Sequence, residues 1–372
     1  MFTYFVFLAA ITLVGVPLCR NKVGKAVYCS IAGAALFVFA AIRRYVGYDY
    51  NMYGAFYMDY MFETNEEISR DRLEKAFAMT MKLLSSYFPD YQTIHIFIAF
   101  IIAVAVGLAL HKYCDRPYLG VFFFLTLGTY YNSLNFARQI VACAILMFGF
   151  RFLNKDQFYR YCVVVLFAST FHLSILLMIP FFFILKIRMT PVTLGVYAVL
   201  SIPIMFFMRD MMKIAALFGY HFYEAFETSG ELNQGQPPIY MIYFGLIFAF
   251  CFAFRKRLTA KDPFNNVWLN CAFFLFWFEM IGARHGELSR LSMPFMMPTE
   301  IILLPRVFEC MLEWCAEKFG KDRKTLTISS AIAAAVVIIG CTGMYEYMAA
   351  VNYNGVSPYQ TVFNAKLPEA KE

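Results

Sequence analysis

Four short stretches of this chain carry side chains that could do chemistry, and each sits at the edge of an apolar run or within one. The first, Arg43-Arg44-Tyr45-Val46-Gly47-Tyr48-Asp49-Tyr50, puts two cations beside a carboxylate, with Tyr53 behind them. The second, Asn132-Ser133-Leu134-Asn135-Phe136-Ala137-Arg138-Gln139, joins two apolar runs with almost no loop. A helix starting near residue 139 sets Arg138 and Gln139 beside free backbone N–H groups, and an Arg fork at a helix N-terminus seats an anion such as phosphate. The third, Phe171-His172-Leu173-Ser174, interrupts a long apolar segment with an imidazole. The fourth, Arg284-His285-Gly286-Glu287 with Arg290, crowds ionisable groups at the start of another apolar run. Each also has a plain structural reading: interfacial anchoring, a helix cap, a satisfied core histidine, solvation. Ionisable groups entering a bilayer are costly, however, and mark binding or catalysis.

Together these residues predict a cavity lined by Arg43, Arg44, Arg138, Arg284 and Arg290, with His172, His285, Asp49 and Glu74 available for proton work. An excess of Arg at membrane depth suits an anionic ligand with lipid access, such as a polyprenyl diphosphate head group. No Cys/His cluster has zinc-ligand spacing, and residues 43–92 contain no D-x-D pattern, so neither metal nor cofactor is expected.

The elements that must position these groups follow from composition. The 372 residues are 61% hydrophobic and 15% charged, against about 45–50% and about 25% in soluble domains. That excess excludes a soluble fold. The net charge of +7 falls in short loops between apolar runs, which argues for positive-inside bias and against nucleic acid. Candidate spans are 2–19, 24–42, 93–111, 118–132, 139–153, 192–208, 238–254, 267–283, 291–312 and 326–346. The N-terminal run has no basic n-region and no A-x-A site, so it reads as a first span rather than a removable signal. Placing the basic loop 20–25 in the cytoplasm and alternating through the spans also puts 151–160, 255–266 and 313–325 inside. Of the ten cysteines, none falls in a loop placed outside, so free thiols are expected.

Segment 161–185 is too short to cross twice, yet basic residues flank it at both ends. It reads as a re-entrant helical hairpin with His172 at its tip, which requires protein or a wet cavity around the tip. The outer side then holds loops 43–92 and 209–237. In the first, Thr64-Asn65-Glu66-Glu67 fits a capping box, and Ile68, Leu73, Phe77, Met81, Leu84 and Phe88 continue an apolar face. Interfacial amphipathic helices are expected in both loops, the second over 209–228. The expected architecture is all-α: one polytopic transmembrane bundle over 1–372, with about ten spans plus the hairpin.

The chain resembles the EpsG family, which is related to Wzy-type O-antigen and exopolysaccharide polymerases. Arg44 with Val46-Gly47, Asp49 and Tyr53 resembles an R-x-x-G-x-D-x-x-x-Y opening. Glu74 sits where members have a Glu before Gly-aromatic, although the Gly is absent from Leu73-Glu74-Lys75-Ala76-Phe77. Asn135-Phe136-Ala137-Arg138-Gln139 is similar to N-x-x-R-Q, and Phe171-His172-Leu173-Ser174 with Pro180 to F-H-x-S…P. Arg290 with Phe295 and Pro305, and the terminal Ser357-Pro358-Tyr359, complete the series.

The resemblance implies a GT-C-like bundle in a bacterial cytoplasmic membrane, with its site on the non-cytoplasmic side. It implies glycosyl transfer between polyprenyl-diphosphate-linked oligosaccharides. Membrane lipid and a chain-length regulator or other assembly proteins are the expected partners. Such chemistry needs fixed cations facing the leaving diphosphate. Arg138 and Arg290 come first, then Arg44 and Arg284, with Arg43, Asn135, Gln139, His285 and Glu74 also binding head group or sugar. It also needs a base for the acceptor hydroxyl, for which His172 is favoured over Asp49. Two other classes remain open: a flippase using the same cavity, and a membrane acyltransferase with a His–acid pair.

Overall fold

The structure, a computed structural model, describes residues 2–70, 73–217, 235–319 and 323–365. Among these residues every apolar run is helical, and the only extended pairing is an isolated bridge between Arg43 and Thr361. Contacts cluster into two compact units, Met1–Ile179 with Glu300–Glu372, and Pro180–Thr299.

The first unit begins with α1 (Phe2–Leu18) and α2 (Lys22–Ala41). Asn21 caps α2 by accepting the Gly24 amide at 2.7 Å. Two helices follow in the stretch expected to be an outer loop. The helix α3 (Tyr50–Phe62) was not anticipated, and α4 (Asn65–Arg70) starts at the expected capping box. There Glu67 accepts from the Thr64 amide at 2.7 Å, and the Glu67 amide donates to the Thr64 hydroxyl at 3.3 Å. The single long amphipathic helix expected after Thr64 is instead broken. It resumes as α5 (Lys75–Tyr87), with Phe77, Ala78, Met81 and Ser85 on its buried face.

The next helix, α6 (Gln92–Tyr113), packs beside α2. Gln92 Nε2 caps the end of α2 by donating to the carbonyls of Ala41 at 2.7 Å and Arg43 at 2.9 Å. The expected span 118–132 is divided at Gly128, whose φ of +98° separates α7 (Pro117–Thr126) from α8 (Thr129–Ser133). A tight turn then leads into α9 (Ala137–Asn154).

The segment read as a hairpin does fold back. After α10 (Phe158–Ser169) the chain breaks at Thr170–His172, passes through a 3-10 turn at Leu173–Leu177 and continues as α11 (Met178–Ile184). The Tyr161 hydroxyl donates to the Met178 carbonyl at 2.9 Å. In an unbroken helix these residues would stand about 25 Å apart, so a long tilted helix is ruled out.

The C-terminal part of the unit begins within a π-helical turn (Pro298–Leu303) and holds two long helices. A tail beyond them clips the end of α2: Arg44 N donates to Gln360 O at 3.0 Å, and Val362 N to Ile42 O at 2.9 Å. Tyr359 stacks on Phe39 with ring centres 4.2 Å apart.

The second unit contains α12 (Pro191–Leu217), α13 (Pro238–Ala253), α14 (Arg255–Lys261) and α15 (Asn265–Gly282). Asn266 and Asn270 of α15 fix the turn after α11, donating to the Ile187 carbonyl at 2.8 Å each. A cluster of Phe181, Phe274, Phe278 and Phe295 fills its core. After a 3-10 turn (Gly286–Ser292) comes α16 (Met293–Met297), so the expected span 291–312 is helical but changes type along its length. The π turn leads on to α17 (Leu304–Phe319), and α18 (Arg323–Ala350) follows. The second expected interfacial segment is absorbed into α12 up to Leu217, and its remainder lies outside the described residues.

Among the described residues four helices are long and apolar enough to cross a membrane: α2, α6, α9 and Ile328–Ala350 of α18. A fifth arises if α13 and α14, bent by 56°, count as one span. Shorter apolar helices of 10–17 residues also occur among the described residues, including α1, α7 and α10, and breaks such as Gly128 divide some of the expected runs.

Candidate functional site

The break between α4 and α5 has a purpose. Glu74, the last residue before α5, is extended (φ −61°, ψ 131°), which frees its side chain from the helix face. The α5 start is tied to the hairpin turn by Ala76 N donating to Thr170 O at 3.2 Å. Glu74 is thereby delivered between two groups from distant parts of the sequence. Arg138 Nη1, in the first turn of α9, donates to Glu74 Oε2 at 2.5 Å. His172 Nδ1, at the hairpin break, stands 2.9 Å from Glu74 Oε1. The two atoms are in ion-pair contact, but the ring is not aimed for a hydrogen bond of strict geometry. The Leu173 amide donates to the same oxygen at 3.2 Å.

Side-chain exposures of 13% for Glu74, 14% for Arg138 and 19% for His172 leave the cluster largely shielded but reachable. Burial alone would push the Glu74 carboxyl up. The His172 ring and the Arg138 charge outweigh it and hold the carboxyl down at about 2. Glu74 is therefore an anion at any physiological pH. Tyr53 of α3 lies against the Arg138 guanidinium, its phenol pushed up by burial.

The other expected residues of this unit each make contacts of their own. Asn135 Oδ1 accepts the Asp49 amide at 2.9 Å, joining the first and second stretches, and Asp49 is the residue before α3. Gln139, one residue beyond Arg138, donates to the Ser174 hydroxyl at 3.4 Å. Arg43 is only 1% exposed. It donates to the Ala40 carbonyl at 2.9 Å and the Leu134 carbonyl at 3.4 Å, and lies 3.5 Å from His95 Nδ1. Arg44 is half-buried and donates to the Tyr91 hydroxyl at 3.1 Å.

Arg284, His285 and Arg290 belong to the second unit. Arg284 is exposed, His285 precedes the 3-10 turn, and Arg290 lies within it. In the same unit the Ser292 hydroxyl donates to the buried Glu279 carboxylate at 2.8 Å.

Several further residues, and the helix that carries Tyr50 and Tyr53, were missed from the sequence. Tyr50, Tyr53, Tyr57 and Tyr60 are the buried stripe of α3. Their spacing of three, four and three is helical and could have revealed the element. Tyr50 stacks flat on His95 with centres 3.9 Å apart. Gln92 and His95, both buried, lie on an apolar helix with nothing local to single them out. Glu300, with no exposure and its carboxyl against Thr129, sits in the π turn, an irregularity that hydropathy does not reveal.

The chain matches the EpsG family over residues 26–361, nearly its whole length, and belongs to that family. No curated protein and no solved structure matches it.

Proposed function

We propose that this EpsG-family protein polymerises lipid-linked oligosaccharide repeat units for exopolysaccharide, O-antigen or capsule. It transfers a growing saccharide from a polyprenyl-diphosphate donor to the hydroxyl of a second lipid-linked unit. The reaction takes place at the non-cytoplasmic face of a bacterial cytoplasmic membrane. Family membership and the long apolar helices support the setting. The single observation that carries the reading is Glu74 held between Arg138 and His172.

A carboxylate in contact with Nδ1 favours a proton on that nitrogen electrostatically, which leaves Nε2 to work as a base. Nε2 of His172 takes the proton from the acceptor hydroxyl as its oxygen attacks the anomeric carbon. The bond from that carbon to the diphosphate breaks, and the pair of electrons leaves with the diphosphate. Glu74 stabilises the imidazolium that forms. Arg138 keeps Glu74 ionised and in place, a positioning role, since its own charge is already matched.

The test is reconstitution of the full-length protein in liposomes with synthetic polyprenyl-diphosphate repeat units. The wild type gives a ladder of products, and Glu74→Gln, Arg138→Ala and His172→Ala give none while remaining folded. Movement of intact lipid-linked sugar across the bilayer without laddering would favour a flippase and sink this reading.

A further inference from the structure

The loop joining α2 to α3 is held in an unusual shape. Tyr45 has φ +57° and Gly47 φ +100°. A bulky aromatic in the left-handed region is costly and persists only where its surroundings over-determine it. Here they do. Besides the Arg44–Gln360 bond, Gly47 N donates to Gly355 O at 2.9 Å and Tyr48 N to Asn354 O at 3.2 Å. The C-terminal tail thus grips the loop on both sides of Tyr45.

The result is a corner formed by Arg44, Tyr45 and Tyr91. The Arg44 guanidinium lies 5.0 Å from the Tyr91 ring centre and 5.6 Å from that of Tyr45. The Tyr45 phenol lies against the Tyr91 hydroxyl and Arg44, contacts that make it more acidic than usual. All three side chains are half-buried, so the corner is open on one side. No described carboxylate pairs with Arg44. The nearby acid, Asp90, accepts the Gln92 amide at 2.8 Å instead. One fixed guanidinium that no described carboxylate pairs with, beside two phenolic hydroxyls, matches an anion with several oxygens.

The corner adjoins the Glu74 cluster. Tyr50 has its ring 5.8 Å from that of Tyr45 and 6.1 Å from that of Tyr91. Tyr53, one turn further along α3, lies against Arg138. Those two positions differ by about 4.5 Å along the helix. The corner is therefore linked to the imidazole–carboxylate pair through Tyr50 and Tyr53 of α3 and the Arg138 side chain.

We propose that Arg44, Tyr45 and Tyr91 form a phosphoryl-anion subsite that takes the diphosphate of the donor lipid, an assignment that rests on the glycosyl-transfer reading above. Arg44 supplies the fixed charge, and the two hydroxyls orient the oxygens.

Binding to the full-length protein in detergent tests this without turnover. Farnesyl diphosphate, farnesol and inorganic pyrophosphate are titrated by calorimetry against the wild type and Arg44→Gln, Tyr45→Phe and Tyr91→Phe. Farnesyl diphosphate should bind at least about tenfold tighter than farnesol. Arg44→Gln should lose about tenfold, and each phenylalanine variant about threefold. Farnesyl diphosphate binding more tightly than pyrophosphate identifies a lipid head group as the ligand; equal binding identifies a free phosphate. If Arg44→Gln does not fold, the two ring-preserving variants decide. Wild-type affinity in those variants, or no diphosphate binding by the wild type, overturns the subsite. A protein that binds the diphosphate through Arg44 yet makes no ladder keeps the subsite and loses the polymerase reading.

Discussion

Glu74 and Arg138 pair across 64 residues of chain, and the pair is possible only because the helix that should have carried Glu74 is interrupted beside it. Within a continuous helix from Asn65 to Tyr87, Glu74 would keep helical geometry and a fixed direction. The break instead gives it an extended backbone and leaves both oxygens free for Arg138, His172 and the Leu173 amide. Backbone irregularity, local geometry and the candidate chemistry meet at this one residue.

Removing Glu74 should therefore do more than remove a contact. It leaves Arg138 as a largely buried cation without its acid, at a cost of about 3 kcal/mol. Glu74→Ala should lower the melting temperature by several degrees, as should Arg138→Ala. The double variant should be less destabilised than the sum of the two. Strict additivity in a double-mutant cycle would show that the pair is not a stabilising unit.

The pH dependence of that stabilisation has a definite sign. The carboxyl is held at about 2 in the folded protein, below its unfolded value of about 4.3. A depressed carboxyl contributes fully above the unfolded value, and its contribution fades as pH falls through the folded one. The gap in melting temperature between wild type and Glu74→Gln should be flat from pH 8 to about 5 and narrow below that. A gap that already shrinks between pH 7 and 6 would mean that Arg138 and His172 do not hold the anion.

His172 separates positioning from proton transfer. With Nδ1 on Glu74, a base acting through Nε2 contributes on the order of 10²–10⁴ in rate. His172→Gln should lose that much laddering while keeping its affinity for farnesyl diphosphate within a factor of about two. Loss of diphosphate affinity in step with activity would instead make His172 a binding residue.

Much of the scaffold was legible. The Thr64–Glu67 capping box and the break at His172 appeared where polar residues interrupt apolar periodicity, because both are local signals. The N-x-x-R-Q turn was legible for the same reason. The gap before α5 was not, since apolar spacing runs on through Ile68, Leu73 and Phe77 and neither Gly nor Pro marks it. The pairing of Glu74 with Arg138 and His172 depends on long-range packing, so the sequence could nominate all three residues without showing their arrangement. For Arg43, type alone was misleading about exposure: it suggested an open cavity, and the side chain is enclosed by Ala40, Leu134 and His95. The tail that fixes Tyr45 lies more than 300 residues away, as the bond from the Tyr48 hydroxyl to the Asn352 carbonyl illustrates (a separation of 304).

That tail and the turn before α9 meet the loop at Gly47, and both make the position intolerant. A Cβ there would lie 2.3 Å from the Leu134 carbonyl oxygen, on backbone at φ +100°. Neither atom can move freely, since Leu134 belongs to the turn that leads into Arg138. Gly47→Ala should destabilise by more than about 1 kcal/mol. It should also weaken farnesyl diphosphate binding, because Arg44 and Tyr45 shift with the loop. Gly340→Ala is the matched control: nothing lies within 4 Å of its Cβ, and an exposed helical site should gain about 0.5–1 kcal/mol from alanine. Thermal melts and calorimetry on both variants check this. A Gly47→Ala protein with wild-type stability and wild-type affinity would show that the loop is not held as described.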